Sequence, residues 1–227
     1  MVRSDFSAEK LRRIVLIALF GAISYVLMLV VHLPVSFLTM DVKDVIITLC
    51  GLYFGPLSAL LLSVIVPLME LITGMSSTGL YGLVMNILGT AAFSVVTSLI
   101  YKYRKSFVGA IVGLVSGVCA MVAVMMAFNL LITPYYMGVT VAEVQALIPT
   151  LLFPFNLVKG TLNAGLVLFL YKPLSGVLQR AGALPPSEAR FRFNLRTVLV
   201  MLASLILIGI SLFVVIRVLG GSFVWGF

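Results

Sequence analysis

Charge is scarce in this sequence. Only 10% of its 227 residues are Asp, Glu, Lys or Arg, whereas 62% are hydrophobic and the mean hydropathy is +1.24. This composition excludes an ordinary soluble protein and indicates a polytopic helical membrane protein. The net charge of +8 does not indicate nucleic-acid binding, because the basic residues fall in short clusters between hydrophobic runs. We therefore expect the lipid bilayer, and no nucleic acid, as a partner.

Residues that commonly carry catalysis are scarce too. The chain has one histidine, His32, and its two cysteines, Cys50 and Cys119, lack the C-x-x-C spacing of a metal or redox site. It also lacks a Gly-x-Ser-x-Gly elbow, a His-Glu-x-x-His motif and an acidic pair suited to glycosyl or phosphoryl chemistry. We expect no catalytic residue, no metal site, no cofactor and no enzymatic activity. A Walker A sequence is missing, so ATP-driven work needs a partner protein.

The sequence does contain a series of apolar runs separated by short polar segments. They predict seven membrane spans, the second of them short, over residues 11–31, 44–54, 57–72, 80–100, 107–132, 150–171 and 197–219. Residues 35–43 and 135–149 are predicted loops, and the charged stretch 172–196 is predicted to be solvated. We expect an all-α membrane protein with a six-helix domain (1–180), a cytoplasmic linker (181–196), and an additional C-terminal transmembrane helix with its tail (197–227).

The basic residues predict the orientation of the chain. Twelve of the fifteen lysines and arginines fall on one side of the membrane if the N-terminus is cytoplasmic, as the positive-inside rule requires. Four carboxylates then lie on or near the outer face: Asp41, Asp44, Glu70 and Glu143. The sixth span enters from outside, so a polar cavity in its first half would open outward.

Lys159 is the anomaly of the sixth span. A lysine near mid-depth costs about 2.5–3.5 kcal/mol on insertion scales, so it normally faces a bundle interior or a wet cavity and has a partner. One interpretation is a structural ion pair with Glu70 or Asp44, and a Schiff-base lysine is a second. A third interpretation is a ligand-binding lysine, because Asn156 lies three residues earlier on the same helix face.

Other polar residues are predicted near the outer ends of the spans. Asn86 and Asn129 bring amides to one depth, and Phe128 adjoins Asn129. Thr39 lies in the first predicted loop, and Thr78 lies in the loop that precedes the fourth span. The ammonium donor of Lys159 and the amide donor and acceptor of Asn156 suit a planar heterocycle with alternating carbonyl and N–H groups.

Small residues recur at helical spacing in two spans. Ala18 and Ala22 form Ala-x-x-x-Ala in the first span, and Gly109, Gly113 and Gly117 form two overlapping Gly-x-x-x-Gly repeats in the fifth. Both patterns let another helix approach closely. Packing inside the bundle is the interpretation favoured for the glycines, whereas an intermolecular contact is the more attractive one for the alanines.

Several of these segments together resemble the riboflavin-specific S components of energy-coupling factor (ECF) vitamin transporters. The similarity covers residues 10–180 and rests on four motifs: Pro154-Phe-Asn-Leu-Val-Lys-Gly160, the Ser77-Thr-Gly79 loop followed by Gly82-x-x-x-Asn86, the short second helix ending at Gly55-Pro56, and Ala18-x-x-x-Ala22. In that family a six-helix membrane protein binds the vitamin from outside and docks onto a transmembrane coupling protein and two ATPases. The seventh span departs from the pattern.

The resemblance implies roles for individual residues. Asn156 and Lys159 would contact the isoalloxazine ring, the loop around Thr39 and Met40 would cover the site, and Ala18 and Ala22 would meet the coupling protein. The expected protein is a riboflavin-binding subunit of an ECF importer in a bacterial cytoplasmic membrane, with riboflavin, and FMN as a further candidate, as transported ligand. The alternatives are an S component for another vitamin and a membrane scaffold or enzyme that transports nothing.

Overall fold

The structure of the protein is a computed structural model, and it describes residues 2–76, 78–184 and 195–220. These residues form eight α-helices, one antiparallel hairpin and one π-helical turn. The elements are α1 (Val2–Val30), β1 (His32–Val35), β2 (Leu38–Asp41), α2 (Lys43–Phe54), α3 (Pro56–Ile72), α4 (Gly79–Tyr103), α5 (Phe107–Met137), α6 (Val141–Leu147), the π-helical turn Ile148–Leu152, α7 (Phe153–Arg180) and α8 (Leu195–Arg217).

The predicted all-α membrane fold is confirmed. Five helical segments in the described residues are long and apolar enough to cross a membrane: Ala8–Val30, Gly79–Tyr103, Phe107–Met137, Val141–Arg180 and Val198–Arg217. The apolar helix α3 is shorter, at 17 residues. The second predicted span, α2, has only 12 residues, and all of them except Tyr53 are buried. Its neighbours α1, α3, α4 and α7 enclose it, so α2 forms the centre of the bundle.

The predicted loop 35–43 is instead largely ordered structure. Strands β1 and β2 pair with Leu33 opposite Met40 and Val35 opposite Leu38, so Ser36 and Phe37 form a two-residue turn. Ser36 adopts a φ of 57°, as such tight turns require. The prediction was wrong because it treated the polar residues of this segment as a sign of irregular surface chain, whereas Asp41 and Lys43 are buried and form an ion pair with each other.

Two helices continue through prolines at which the sequence predicted an end. Helix α5 includes Pro134 and ends at Met137, where Gly138 caps it with a φ of 67°, the left-handed conformation that terminates helices. Helix α7 includes Pro173 and reaches Arg180, so the first part of the stretch 172–196 is helix. A proline removes one backbone hydrogen bond, and packed membrane helices tolerate that loss.

The predicted loop 135–149 contains a short helix. Helix α6 begins with a capping box, in which the Thr140 hydroxyl accepts from the Glu143 N–H and the Glu143 carboxylate accepts from the Thr140 N–H at 2.7 Å. The π-helical turn then leads into α7, so residues 141–180 form one nearly continuous helical segment.

The additional C-terminal helix is present as α8 and packs mainly against α7. A Cβ on Gly165 of α7 would lie 3.2 Å from Ile208 Cγ1 and 3.5 Å from the Ser204 carbonyl oxygen, so the two helices approach closely there. Of the predicted linker 181–196, residues 185–194 lie outside the described residues. The same holds for residues 221–227 of the predicted tail.

Candidate functional site

A cavity lies between the hairpin, the loop before α4, and helices α2, α3, α4, α5 and α7. Its empty volume is about 880 Å³, which includes space open to solvent. Apolar and aromatic side chains contribute much of its wall: Phe37, Leu38, Met75, Tyr81, Met85, Met121, Met125, Ile132, Tyr136 and Phe155.

Lys159 reaches the hairpin across the cavity wall. Its Nζ lies 2.9 Å from Asp41 Oδ2 and 3.4 Å from the Thr39 carbonyl oxygen. The ion pair foreseen for Lys159 therefore exists, but its partner is Asp41 rather than Glu70 or Asp44. Strand β2 determines this partner because it runs past α7 and places Asp41 next to Lys159.

Asp41 is shared by two lysines. The Lys43 Nζ lies 2.6 Å from the same Oδ2 atom, and the Lys43 side chain is completely buried. Burial on its own would raise the pKa of the Asp41 carboxyl, but the ammonium groups of Lys159 and Lys43 outweigh it and hold that pKa below its ordinary value. Asp41 is therefore an anion that joins the start of α2 to the first third of α7.

The charged network continues to the opposite wall. Lys43 Nζ donates to Asn86 Oδ1 at 3.4 Å, and Asn86 Nδ2 donates to Glu70 Oε2 at 3.0 Å. Lys159, Asp41, Lys43, Asn86 and Glu70 thus form one chain of polar contacts around the cavity. Such a chain orients every member, because each buried polar group is directed by its neighbours.

A second polar group surrounds Asp44. Its carboxylate accepts from the Thr90 hydroxyl at 2.7 Å and from Asn163 Nδ2 at 3.4 Å. Asp44 and Thr90 both line the cavity. The side-chain amide oxygen of Asn163, Oδ1, is the one buried side-chain oxygen or nitrogen among the described residues that has no hydrogen-bond partner.

Two amides are held by their own helices. Asn156 Nδ2 donates to the Leu152 carbonyl at 2.8 Å, and Leu152 closes the π-helical turn in front of α7. Asn129 Nδ2 donates to the Met125 carbonyl at 2.7 Å, while Asn129 Oδ1 accepts from the Thr133 hydroxyl at 2.8 Å. These bonds fix both side chains before any ligand arrives, which lowers the entropy lost on binding.

Six of the eight predicted ligand residues line the cavity: Asn156, Lys159, Asn86, Asn129, Thr39 and Thr78. Met40 and Phe128 do not. Successive residues of a strand point to opposite faces, so Thr39 faces the cavity while Met40 is buried in a hydrophobic cluster with Leu33 and Val35. Phe128 adjoins Asn129 in α5, where neighbouring residues point about 100° apart, at 3.6 residues per turn.

The sequence interpretation placed Asp44 and Glu70 near the outer face without assigning them to the ligand site. It also missed the network formed by Asp41 and Lys43. The signal was available, because Asp41, Lys43 and Asp44 interrupt an apolar sequence just as Lys159 does. The aromatic pair Tyr81 and Tyr136, with ring centroids 6.0 Å apart, joins residues too distant in sequence for local patterns to connect.

The two small-residue patterns have different surroundings. A Cβ on Gly113 would lie 2.7 Å from the Thr97 carbonyl oxygen, and a Cβ on Gly117 would lie 2.7 Å from that of Phe93. The glycines therefore let α4 and α5 pack closely inside the bundle, which is the interpretation that the sequence favoured. Ala18 and Ala22 are exposed on α1 and remain available to another helix.

Comparison with known proteins identifies the family of this chain. A family model described as ECF transporter, substrate-specific component, matches residues 12–174. The chain belongs to this family. The matched residues include the hairpin, the cavity and most of α7, whereas α8 lies beyond them.

Two known proteins with sequences similar to this chain are named riboflavin transporters. The chain is 27% identical to the riboflavin transporter RibU of Staphylococcus aureus over 188 residues, covering 78% of this chain and 98% of that protein. It is 27% identical to the riboflavin transporter FmnP of Bacillus subtilis, covering 72% of this chain and 94% of that protein.

A solved structure agrees in fold. The structure described as the S component of a bacterial ECF transporter matches with a TM-score of 0.65 at 27% identity, covering 75% of this chain and 99% of that one. The match accounts for nearly the whole of the solved S component and leaves a quarter of the present chain over. The predicted six-helix S-component body with an added segment is therefore confirmed.

Proposed function

We propose that this S component binds riboflavin from the outside of a bacterial cytoplasmic membrane and delivers it as the substrate subunit of an ECF importer. The observation that carries the proposal is the cavity, where Lys159 and Asn156 lie beside apolar and aromatic walls in a chain whose relatives are named riboflavin transporters. The isoalloxazine ring is flat and apolar on its faces, and its edge alternates carbonyl and N–H groups.

The two parts of riboflavin match two parts of the cavity. The ring fits between the methionine and aromatic side chains, with its polar edge toward Lys159 and Asn156. The ribityl chain carries only hydroxyl groups, which donate well to carboxylates and accept from amides. Asp44, Glu70, Thr90 and Asn86 offer these groups on one side of the cavity. No catalytic step is needed, so the protein acts as a binding subunit and not as an enzyme.

We further propose that riboflavin is preferred to FMN. A phosphate group would bring about 1.5 to 2 negative charges to a cavity whose lining already includes the carboxylates of Asp44 and Glu70. The cationic groups nearby are committed, because Lys159 and Lys43 both contact Asp41. FMN should therefore bind more weakly than riboflavin.

The proposed topology places the N-terminus in the cytoplasm and the cavity toward the outside. The distribution of lysines and arginines supports it. ATP hydrolysis is assigned to partners, a transmembrane coupling protein and two ATPases, because the sequence has no Walker A motif. The exposed positions of Ala18 and Ala22 suit a helix contact with the coupling protein.

The test is to identify the bound molecule. Purified protein should be yellow, and mass spectrometry of the extracted ligand should find riboflavin. Fluorescence titration of stripped protein should then give tight riboflavin binding and weaker FMN binding. A different vitamin in the extract, or no binding of any flavin, would contradict the assignment.

A further inference from the structure

Helix α8 lies outside the residues matched by the family model, yet one of its faces is buried. The buried positions are Ser204, Ser211 and Val215, which are spaced by seven and four residues and therefore share one face. The remaining faces carry exposed apolar side chains such as Leu202, Ile206 and Phe213. Helix α8 therefore faces lipid on most of its surface, and a single stripe, formed by Ser204, Ser211 and Val215, packs against the rest of the protein.

The stripe packs first on α7. At Gly165 the absence of a side chain lets the α8 backbone approach, since a Cβ there would be 3.5 Å from the Ser204 carbonyl oxygen. The Ser204 hydroxyl donates to the Val200 carbonyl within α8, so it needs no partner from α7. Close backbone packing of this kind fixes α8 in one position along α7.

The C-terminal part of the stripe belongs to the hydrophobic cluster that also contains the hairpin. Val215 has no exposed surface and belongs to one buried cluster with Leu33, Val35 and Met40 of the hairpin and with α7 residues. Leu212 and Leu219 pack against the edge of the same cluster. Helix α8 therefore supplies part of the hydrophobic support of the strands β1 and β2.

The other side of the hairpin faces the cavity. Phe37, Leu38 and Thr39 line it, and Asp41 holds Lys159 by the ion pair already described. The hairpin therefore lies between the cavity and a buried hydrophobic cluster to which α8 contributes. A two-stranded hairpin is marginally stable without such packing, so its position depends on what lies behind it.

We propose that α8 is a positioning element that holds the hairpin over the cavity and thereby slows release of the bound ligand. The proposal rests on the proposed function in taking that ligand to be riboflavin. Val215 and Leu212 act through the hairpin and do not touch the ligand. Removing their side chains opens space in the cluster, and the hairpin then moves away from the cavity more often.

The first experiment compares two double variants of the full chain. Leu212→Ala with Val215→Ala removes apolar volume from the cluster, whereas Leu205→Ala with Val198→Ala removes the same groups from exposed positions of α8. Riboflavin dissociation, followed by the return of flavin fluorescence after dilution into a competitor, should be about ten-fold faster in the first variant. This change corresponds to about 1.4 kcal/mol. The control variant should match the wild type.

The second experiment needs no ligand. Hydrogen–deuterium exchange of the ligand-free protein should become faster at residues 32–41 in the first variant and stay unchanged in the control. Val215→Ile, which keeps the cluster filled, should retain slow dissociation and slow exchange. Where the double variant fails to fold, the single change Val215→Ala replaces it in both measurements, with Val198→Ala as its control.

The outcomes separate the two proposals. Unchanged dissociation and unchanged hairpin exchange in a folded variant would overturn the role of α8, as would equal effects in the control variant. If the wild-type protein binds no flavin, the proposed function fails, while faster hairpin exchange in the cluster variant alone would still support the positioning role.

Discussion

The two ends of the helix bundle differ in the charge of their buried polar groups. At the hairpin end, defined by the hairpin and the cavity, Asp41, Lys43 and Lys159 are charged and nearly inaccessible to solvent. At the tyrosine end, defined by Tyr53, Tyr101 and Tyr171 where α2, α4 and α7 meet, the polar groups inside the bundle are neutral.

The tyrosine end is built from aromatic contacts. The rings of Tyr53 and Tyr171 stack at 5.7 Å, the Tyr53 hydroxyl donates to the Tyr171 carbonyl at 2.6 Å, and the hydroxyls of Tyr101 and Tyr171 hydrogen-bond each other. A cavity of about 1,380 Å³, which includes space open to solvent, lies there. Its cations, Lys102 and Lys105 with Arg13, are exposed.

This difference shows that buried charges, and not exposed ones, indicate where the ligand site lies. Exposed lysines at the tyrosine end follow from membrane topology and need no ligand. Buried charges at the hairpin end are costly and are retained only where partners compensate them. The hairpin end is therefore where the ligand is expected, although the second cavity is the larger one.

The largest expected effect separates ligand binding from transport. Ala18→Trp with Ala22→Trp adds bulk to the exposed face of α1, so docking on the coupling protein should fail and uptake should fall to background. Riboflavin binding at the hairpin end should be unchanged. Uptake into proteoliposomes containing the whole complex, beside titration of the isolated subunit, measures both. Joint loss of binding, stability and uptake would refute docking and favour packing of this face within the bundle.

The next largest effect is on stability. Asp41→Asn leaves Lys43 and Lys159 without their shared anion, and losing one partner of a buried ion pair costs about 3–5 kcal/mol. Thermal unfolding in detergent should show a large drop in melting temperature. Lys102→Gln at the tyrosine end removes an exposed charge and should leave the melting temperature nearly unchanged. Similar losses in both variants would abolish the distinction between the two ends.

A smaller effect is expected on affinity. Lys159→Ala and Asn156→Ala should each weaken riboflavin binding by about 1–3 kcal/mol, because polar groups of the ligand are left buried without a partner. Fluorescence titration measures the change. Leu157→Ala, on an exposed position of the same helix, is the matched control. Wild-type affinity in both site variants would remove these residues from the ligand site.

The smallest effect concerns the tyrosine end itself. Tyr101→Phe removes the hydrogen bond to the Tyr171 hydroxyl, which should lower the free energy of unfolding by about 0.5–1.5 kcal/mol. Riboflavin affinity should stay at the wild-type value, since the contact lies away from the hairpin-end cavity. A clear loss of affinity would indicate that the two ends are coupled.

Much of the fold could be predicted from the sequence because membrane helices are encoded locally. Apolar length predicted the spans, and the anomaly of a lysine in the sixth span led to Lys159 and Asn156 in the cavity wall. The capping box at Thr140 and Glu143 is equally local and was overlooked. The ends at Pro134 and Pro173 were misjudged because neighbouring helices compensate for a lost backbone bond.

The partner of Lys159 could not be predicted in the same way. Asp41 lies 118 positions away in the chain, so no periodicity links the two residues. Polar residues in a short segment also resemble a surface loop whenever their partners are unknown. The buried cluster shared by α8 and the hairpin could not be predicted either, since Val215 and Met40 belong to segments far apart in the sequence.

The burial of α2 has a consequence for how the protein assembles in the membrane. Its 12 residues span about 18 Å, whereas the hydrocarbon core is about 30 Å thick. It also begins with Lys43 and Asp44, which lipid alone does not accommodate. Such a helix does not partition into the bilayer as an independent unit. We expect it to enter with α1 and α3 and to become stable only when α4 and α7 close around it, so the insertion of α2 depends on the folding of its neighbours.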